Sequence, residues 1–347
     1  MSSFKAGIIG CGGRGRGHAQ GYAASSEVDI VACADPVEEA RRNLAQQFDV
    51  AKTYDDYREM LAREDLDFVS VCTWIGMHRE MVVAAAENGA RAIHAEKPMA
   101  PTWGDAKAMY QSCVDRGVTI TFCHQRRFEE PFKKARSLAR DGAIGRLVRV
   151  EGACPNLLDW GTHWFDMFFF YNDDAPAEWV LGQIDASEKR EIFGVEVEAG
   201  GLSWVRWRNG LEGLLATGDA ALHGVANRLI GTDGIIEVIG GRDRPPIRVM
   251  RHGSDWEVPD LPGPQVNPTV LSVLDLIDCV KTGREPVLSG RKALQATELI
   301  FATYESSRRR GRVDLPLDVE DSALLTMLED GTIGSEEDKD VGASPAS

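Results

Sequence analysis

Lys97, Asp159 and His163 are the residues of this chain whose types and spacing could exchange protons with a substrate. Lys97 lies in Glu96-Lys97-Pro98, directly after the apolar stretch Ala92-Ile93-His94-Ala95. Asp159 and His163 stand four positions apart in Asp159-Trp160-Gly161-Thr162-His163. Near the N-terminus, the strand-like Ala6-Gly7-Ile8-Ile9 leads into Gly10-Cys11-Gly12-Gly13-Arg14-Gly15. A glycine-rich phosphate cradle, an ammonium at a strand end and a carboxylate/imidazole pair together suit hydride transfer between a dinucleotide and an alcohol or carbonyl. Each signal alone has an ordinary structural reading.

The cradle is the most specific of the three, because it follows an apolar strand, opens a helix, and an acid ends the next strand at Val31-Ala32-Cys33-Ala34-Asp35. In such a unit Gly10 makes the tight turn, Gly12 admits the pyrophosphate to the backbone, and Gly15 lets helix and strand pack closely. Gly13 and Arg14 complete the loop, whose helix N-terminus offers free N–H groups and a positive dipole end. Asp35, about 20 residues beyond Gly15, is placed to accept the ribose hydroxyls. A carboxylate there repels a 2′-phosphate, so the sequence predicts NAD, with NADP left open by Arg14, Arg16 and Arg41. The alternative is a glycine-rich turn in an unliganded α/β domain.

Ligands of open parallel sheets bind beyond the carboxyl ends of the strands, which is where Lys97 stands. Its ammonium could polarise a substrate hydroxyl, with a nearby cationic ring drawing its pKa down, or it could be a solvated surface lysine. On a helix, Asp159 and His163 share a face. The carboxylate could orient an imidazole suited to proton exchange near neutrality. Asp166, one turn on, could take that orienting role instead, and a structural surface pair is the plain alternative. Trp160 could stack on a sugar ring or simply pack. Trp164, Phe165, Met167, Phe168, Phe169 and Phe170 read as core.

The elements that must position these groups alternate up to about residue 124. Strands are expected at 5–9, 29–34, 67–72, 91–95 and 118–123, and helices at 15–24, 36–48, 54–63, 78–88 and 102–115. Short apolar strands between helices argue a doubly wound parallel α/β sheet. Thr102 with Asp105 resembles a capping box, and Pro36 suits a first helical turn. Beyond 125 a helix at 129–141, a strand at 146–153 and a helix at 157–171 lead into closely spaced strands near 178–186, 201–208, 213–218, 226–231 and 234–239. That rhythm suits an antiparallel or mixed sheet. Helices at 269–282 and 291–309 follow a loop over 259–268 that holds four prolines. The expected organisation is a nucleotide-binding domain over 1–124, an α/β substrate-binding domain over 125–330, and a disordered acidic tail over 331–347.

With 347 residues the chain is long enough for two domains of about 150 residues each. A net charge of −15 argues against nucleic-acid or anionic-membrane partners. The basic run Arg308-Arg309-Arg310 with Arg312 ends an expected helix, where cations complement the dipole. Seven scattered cysteines without a C-x-x-C suit a reducing cytoplasm rather than a disulfide framework, and no metal-ligating set is expected. No apolar run approaches the ~20 residues of a membrane span, and no signal peptide is expected before the first strand.

Together these residues resemble the glucose–fructose oxidoreductase and inositol dehydrogenase family (Gfo/Idh/MocA). The likeness covers most of the chain: Gly10–Gly15 after the first strand, Asp35, Glu96-Lys97-Pro98, Asp141-Gly142-x-x-Gly145, and Asp159-x-x-x-His163. It implies a Rossmann domain plus an α/β domain with a large open, mainly antiparallel sheet, often used for assembly into homodimers or homotetramers. It places Lys97, Asp159 and His163 at the catalytic positions and implies a cis Lys97–Pro98 bond. Thr73, Trp74, His78, Glu96 and Lys97 then border the cofactor, while Lys97, Arg127, Asn156, Trp160 and His163 border a carbohydrate or polyol substrate. For Arg127 an interdomain ion pair is the other reading. Two departures bear on substrate identity. Thr73-Trp74-Ile75 replaces the usual Thr-Pro-Asn, and Cys154-Pro155-Asn156-Leu157-Leu158 replaces a common glycine run. The expected activity is reversible oxidation of a secondary alcohol. Alternatives are redox-assisted glycoside cleavage with transient NAD reduction, and a non-catalytic NAD(H) sensor.

Overall fold

The computed structural model describes residues 3–219, 225–240, 244–263 and 266–334. The chain divides into two compact units. The first comprises Met1–Pro101, Asp105–Phe128 and Pro264–Leu294, and the second Thr102–Gly104, Glu129–Gly263 and Gln295–Ser347. The stretch 264–294 thus groups with the N-terminal residues, a long-range association that consecutive boundaries do not reveal. From Ser335 onward the expected tail lies outside the described residues.

In the N-terminal unit, β1 (Phe4–Ile9), α1 (Gly13–Ala23), β2 (Val28–Ala34), α2 (Glu38–Phe48), β3 (Lys52–Tyr54), α3 (Tyr57–Arg63), β4 (Phe68–Val71), α4 (His78–Glu87), β5 (Ala92–Ala95), α5 (Trp103–Asp115) and β6 (Thr119–Phe122) alternate. The strands form one parallel sheet in the order β3-β2-β1-β4-β5-β6. The order reverses between β1 and β4, which creates a crevice at their carboxyl ends. All four residues of β4 and of β5 are buried, as strands covered on both faces require.

Two local readings need correction. Residues 52–54 form an edge strand too short to show periodicity, and α3 begins only at Tyr57, capped by Asp56 accepting from the Arg58 N–H at 2.8 Å. Similarly, α2 starts at Glu38, so Pro36 lies before its first turn. The Asp35 carboxylate takes the Val37 N–H at 2.8 Å there.

The C-terminal unit contains α6 (Glu130–Arg140), β7 (Leu147–Cys154), α7 (Thr162–Tyr171), β8 (Ala177–Asp185), β9 (Arg190–Ile192), β10 (Val195–Val197), β11 (Gly200–Trp207), β12 (Glu212–Thr217), β13 (Val225–Gly231), β14 (Gly234–Ile239), β15 (Ile247–Arg251) and β16 (Trp256–Glu257). After α8 (Pro268–Thr282), which belongs to the first unit, come α9 (Gly290–Arg309), β17 (Val313–Asp314) and α10 (Ala323–Glu329). Among the described residues, nine strands form one sheet in the order β16-β15-β14-β13-β7-β12-β11-β8-β17, antiparallel except for the β7/β12 pair. A separate hairpin pairs β9 with β10. The short strands β9, β10, β15, β16 and β17 carry too few residues for alternation to be legible.

Each unit has its own core. Tyr22 of α1 packs with Ile8, Cys33 and Phe68 against Val273, Leu276 and Ile277 of α8. A Cβ on Gly21 would meet Val273 at 2.5 Å, so that glycine lets α1 and α8 close together. In the second unit α7 is buried along its whole length, its polar Thr162, His163 and Asp166 as well as its aromatic side chains. Its Phe168 occupies space that side chains at Gly152 and Gly213 would fill, at 3.3 and 3.0 Å.

Candidate active site

In the first unit the candidate residues gather at the crevice. Gly10 turns the chain with φ +89°, and a Cβ there would sit 2.3 Å from Cys72 O. Gly15 has no more room, since its Cβ would fall 1.9 Å from Gly10 O. Gly12 and Gly13, by contrast, face open space. Gly12 caps α1 without a side-chain bond, and the first turn carries no acid, so the positive end of that helix is not neutralised from within.

Asp35 does more than close the next strand. Its carboxylate accepts the Cys11 N–H and the Val37 N–H, each at 2.8 Å, and so ties the glycine loop to the end of β2. Arg41 turns its Nη1 onto the carbonyls of Asp35 and Pro36, at 3.0 and 3.3 Å. A cavity of about 700 Å³ opens over this corner, walled by Gly10, Gly12, Asp35, Thr73 and Trp74 among others. Val37, Tyr57, Met77 and Met81 also line it; these were not singled out in the sequence, where a lone apolar residue carries no ligand signal. The open glycine backbone, the carboxylate wall and the helix N-terminus fit a dinucleotide. Trp74 is 65% exposed at the cavity's edge.

Gly13, Arg14, Gly15, His78, Glu96 and Lys97 do not line that cavity. Glu96 is buried, and its Oε1 accepts from Arg14 Nε at 2.7 Å and faces His18 Nε2 at 3.0 Å. Burial works against its charge, yet His18 and Arg14 outweigh it and hold the carboxyl down at about 2. His18 was missed in the sequence although it shares an α1 face with Arg14, four residues earlier. His78 bridges two carbonyls, with Nδ1 2.9 Å from Pro98 O and Nε2 3.1 Å from Thr73 O. Burial lowers its pKa, so the neutral ring donates one of these bonds at a time. The Lys97–Pro98 bond is cis, and Lys97 is half-buried after β5. Arg127 is buried in the short turn Gln125–Phe128.

One buried set in this unit brings together possible metal ligands: His18, His94 and Cys123 place donor atoms within 4.8 Å of one another. The two rings stack with centroids 4.4 Å apart and planes 29° apart, so their in-plane lone pairs run side by side rather than converging. Their nitrogens already face Ser70, Glu96, Thr121 and Ser272 at 2.8–3.0 Å. The set is a packed hydrogen-bond network, not a cation cage.

In the second unit the candidate residues lie on the segment entering α7. Residues Leu157–Gly161 form a π turn, closed by the Gly161 N–H on Asn156 O at 2.9 Å, rather than the first turn of one continuous α-helix. Cys154-Pro155 ends β7, and Asn156 Oδ1 then accepts the Asp159 N–H at 2.7 Å, which favours an early tight turn. Single π turns of this kind recur at functional sites. Asn156, Asp159 and His163 are buried, and Trp160 is 38% exposed with its ring 6.3 Å from that of His163. Trp164 Nε1 donates to Ala153 O at 2.9 Å and pins the helix to β7. Asn156, Asp159, Trp160 and His163 therefore share one short, well-supported segment.

Comparison with known proteins follows the same lines. Residues 4–124 match the family model GFO_IDH_MocA, described as an oxidoreductase family with an NAD-binding Rossmann fold. Over 96% of its length the chain is 27% identical to D-apiose dehydrogenase of Paraburkholderia graminis, of which it covers 95%. It is 24% identical to the scyllo-inositol 2-dehydrogenase (NAD(+)) of Bacillus subtilis over 89% of this chain and 95% of that one. Among solved structures, aldose-aldose oxidoreductase from Caulobacter crescentus, complexed with glycerol, shares the fold with a TM-score of 0.78 at 21% identity, covering 90% of this chain and 100% of that one.

Proposed function

Because the chain belongs to the Gfo/Idh/MocA oxidoreductases, we propose that it is an NAD-dependent dehydrogenase acting on a secondary alcohol of a sugar, polyol or related cyclic compound. The observation that carries this reading is the cavity walled by Gly10, Gly12 and Asp35 at the carboxyl ends of β1 and β2. Bound NAD supplies the hydride acceptor. Asp35 takes the ribose hydroxyls, and the α1 N-terminus with Gly12, Gly13 and Arg14 takes the pyrophosphate. Thr73 and Trp74 border the cofactor, and His78 and Glu96 support that border by holding Thr73, Pro98 and Arg14.

Lys97 holds the substrate oxygen, His163 takes its proton, and Asp159 orients His163 or grips a neighbouring hydroxyl. Arg127, Asn156 and Trp160 shape the substrate's surroundings. Net oxidation is favoured over transient redox cleavage because the named relatives are dehydrogenases. A domain division near residue 124, a cytoplasmic location and self-association belong to the same reading. Self-association is assigned to the open face of the nine-stranded sheet, where Leu181, Leu202 and Trp204 are exposed. Among the described residues no helix is long and apolar enough to cross a membrane. Replacing Lys97 with Ala tests the chemistry: turnover should fall by about a thousandfold or more with NADH affinity retained, and near-native turnover would refute the assignment.

A further inference from the structure

The π turn that carries Asp159 is held at its start by a residue distant in sequence. Glu198, on the link between β10 and β11, is fully buried. Its Oε1 accepts the Leu157 N–H at 2.5 Å, and its Oε2 accepts the Tyr304 hydroxyl of α9 at 2.8 Å. Leu157 is the first residue of the turn, and an amide in that position has no acceptor within the turn. Among the described residues, the titratable groups facing Glu198 are Cys154 at the end of β7 and Tyr304, both pushed well above their ordinary values by burial and so neutral; Asp159 in turn acts on Cys154. The Thr217 hydroxyl of β12 also bears on Glu198. None of these groups is a cation, so burial lifts the carboxyl to about 7 despite the bonds it accepts.

We propose that Glu198 is a positioning residue whose carboxylate anchors the turn presenting Asp159 and His163. This rests on the roles assigned above to those two side chains. Glu198 itself touches no reacting atom. Its influence runs through the Leu157 amide, one turn before the groups that exchange protons.

Backbone amide exchange over residues 157–163 tests the anchor without requiring activity. In Glu198→Ala, measured at pH 8 where the native carboxyl is ionised, exchange there should rise by about tenfold or more, the cost of losing a bond to a charged acceptor, while the other strands of the unit keep their protection. Glu198→Gln, which retains an acceptor, should recover most of that protection. On a working substrate, Glu198→Ala should lower kcat by about tenfold with NADH affinity unchanged. Glu198→Gln should also remove an inflection near neutral pH from the kcat profile. Unchanged exchange in folded Glu198→Ala overturns the anchor whatever the activity. Should that variant not fold, Glu198→Asp decides, since its carboxylate falls one methylene short of the Leu157 amide: faster exchange over 157–163 in that variant supports the anchor, and unchanged exchange overturns it. A native protein inactive on every sugar and polyol refutes the proposed function, and the exchange comparison still judges the anchor.

Discussion

Glu198→Gln removes an ionisable group whose folded-state value, about 7, stands well above the ordinary 4.5. A carboxyl shifted upward holds its proton longer in the folded chain than in the unfolded one. Below about 4.5 both states are protonated and stability is undiminished. Between 4.5 and about 7 the unfolded chain releases a proton that the folded chain keeps, and stability falls as pH rises; above about 7 the loss is complete. At ~1.36 kcal/mol for each pH unit, that window amounts to about 3 kcal/mol. The variant has no such dependence. Its unfolding free energy minus that of the native protein should therefore climb by about 3 kcal/mol from pH 4.5 to 7 and then level off. A constant offset from altered hydrogen bonds does not affect that slope. Urea unfolding followed by tryptophan fluorescence suits the measurement, because seven of the eight tryptophans, Trp103 at the start of α5 included, belong to the unit that holds Glu198. A difference that stays flat from pH 5 to 8 would refute the reasoning.

Other substitutions probe the N-terminal unit. Asp35→Ala should weaken NAD binding far more than NADP binding in titration calorimetry, because it removes both the ribose acceptor and the repulsion of a 2′-phosphate; equal losses would contradict that role. Gly15→Ala puts a Cβ 1.9 Å from Gly10 O and should cost about 2 kcal/mol or more in thermal unfolding, with loss of cofactor affinity. Glu96→Gln removes a carboxylate held down at about 2. The native advantage should be full above pH 4.5, on the order of 2–3 kcal/mol, and vanish as pH falls toward 2. Acid titrations of the two proteins by circular dichroism would show it.

The cofactor corner was legible in the sequence because its signals are local. The turn at Gly10, the close packing at Gly15 and the acid after β2 follow one another within a single strand–helix–strand unit. The parallel sheet was legible for the same reason, except for β3, whose three residues leave no pattern. The C-terminal half was harder to read. Asp159 and His163 were visible as a pair, yet the π turn that carries Asp159 depends on the Asn156 cap and on Glu198, which lies 41 residues beyond Leu157. Burial of a carboxylate is a property of the assembled unit, so nothing in the Glu196-Val197-Glu198 run distinguishes the buried acid from its neighbour. The grouping of residues 264–294 with the first unit is equally long-range, resting on Gly21 and Val273. His94 looked like an ordinary strand residue, and only the folded sheet stacks it on His18.

The most direct measurement follows NADH absorbance while native protein and Lys97→Ala are each incubated with NAD and a panel of aldoses, inositols and anhydrosugars. The native enzyme should produce NADH in proportion to at least one of these substrates, and Lys97→Ala should bind NADH normally but produce almost none. No net NADH from any member of the panel, or equal production by both proteins, would contradict an NAD-dependent sugar or polyol dehydrogenase that works through Lys97.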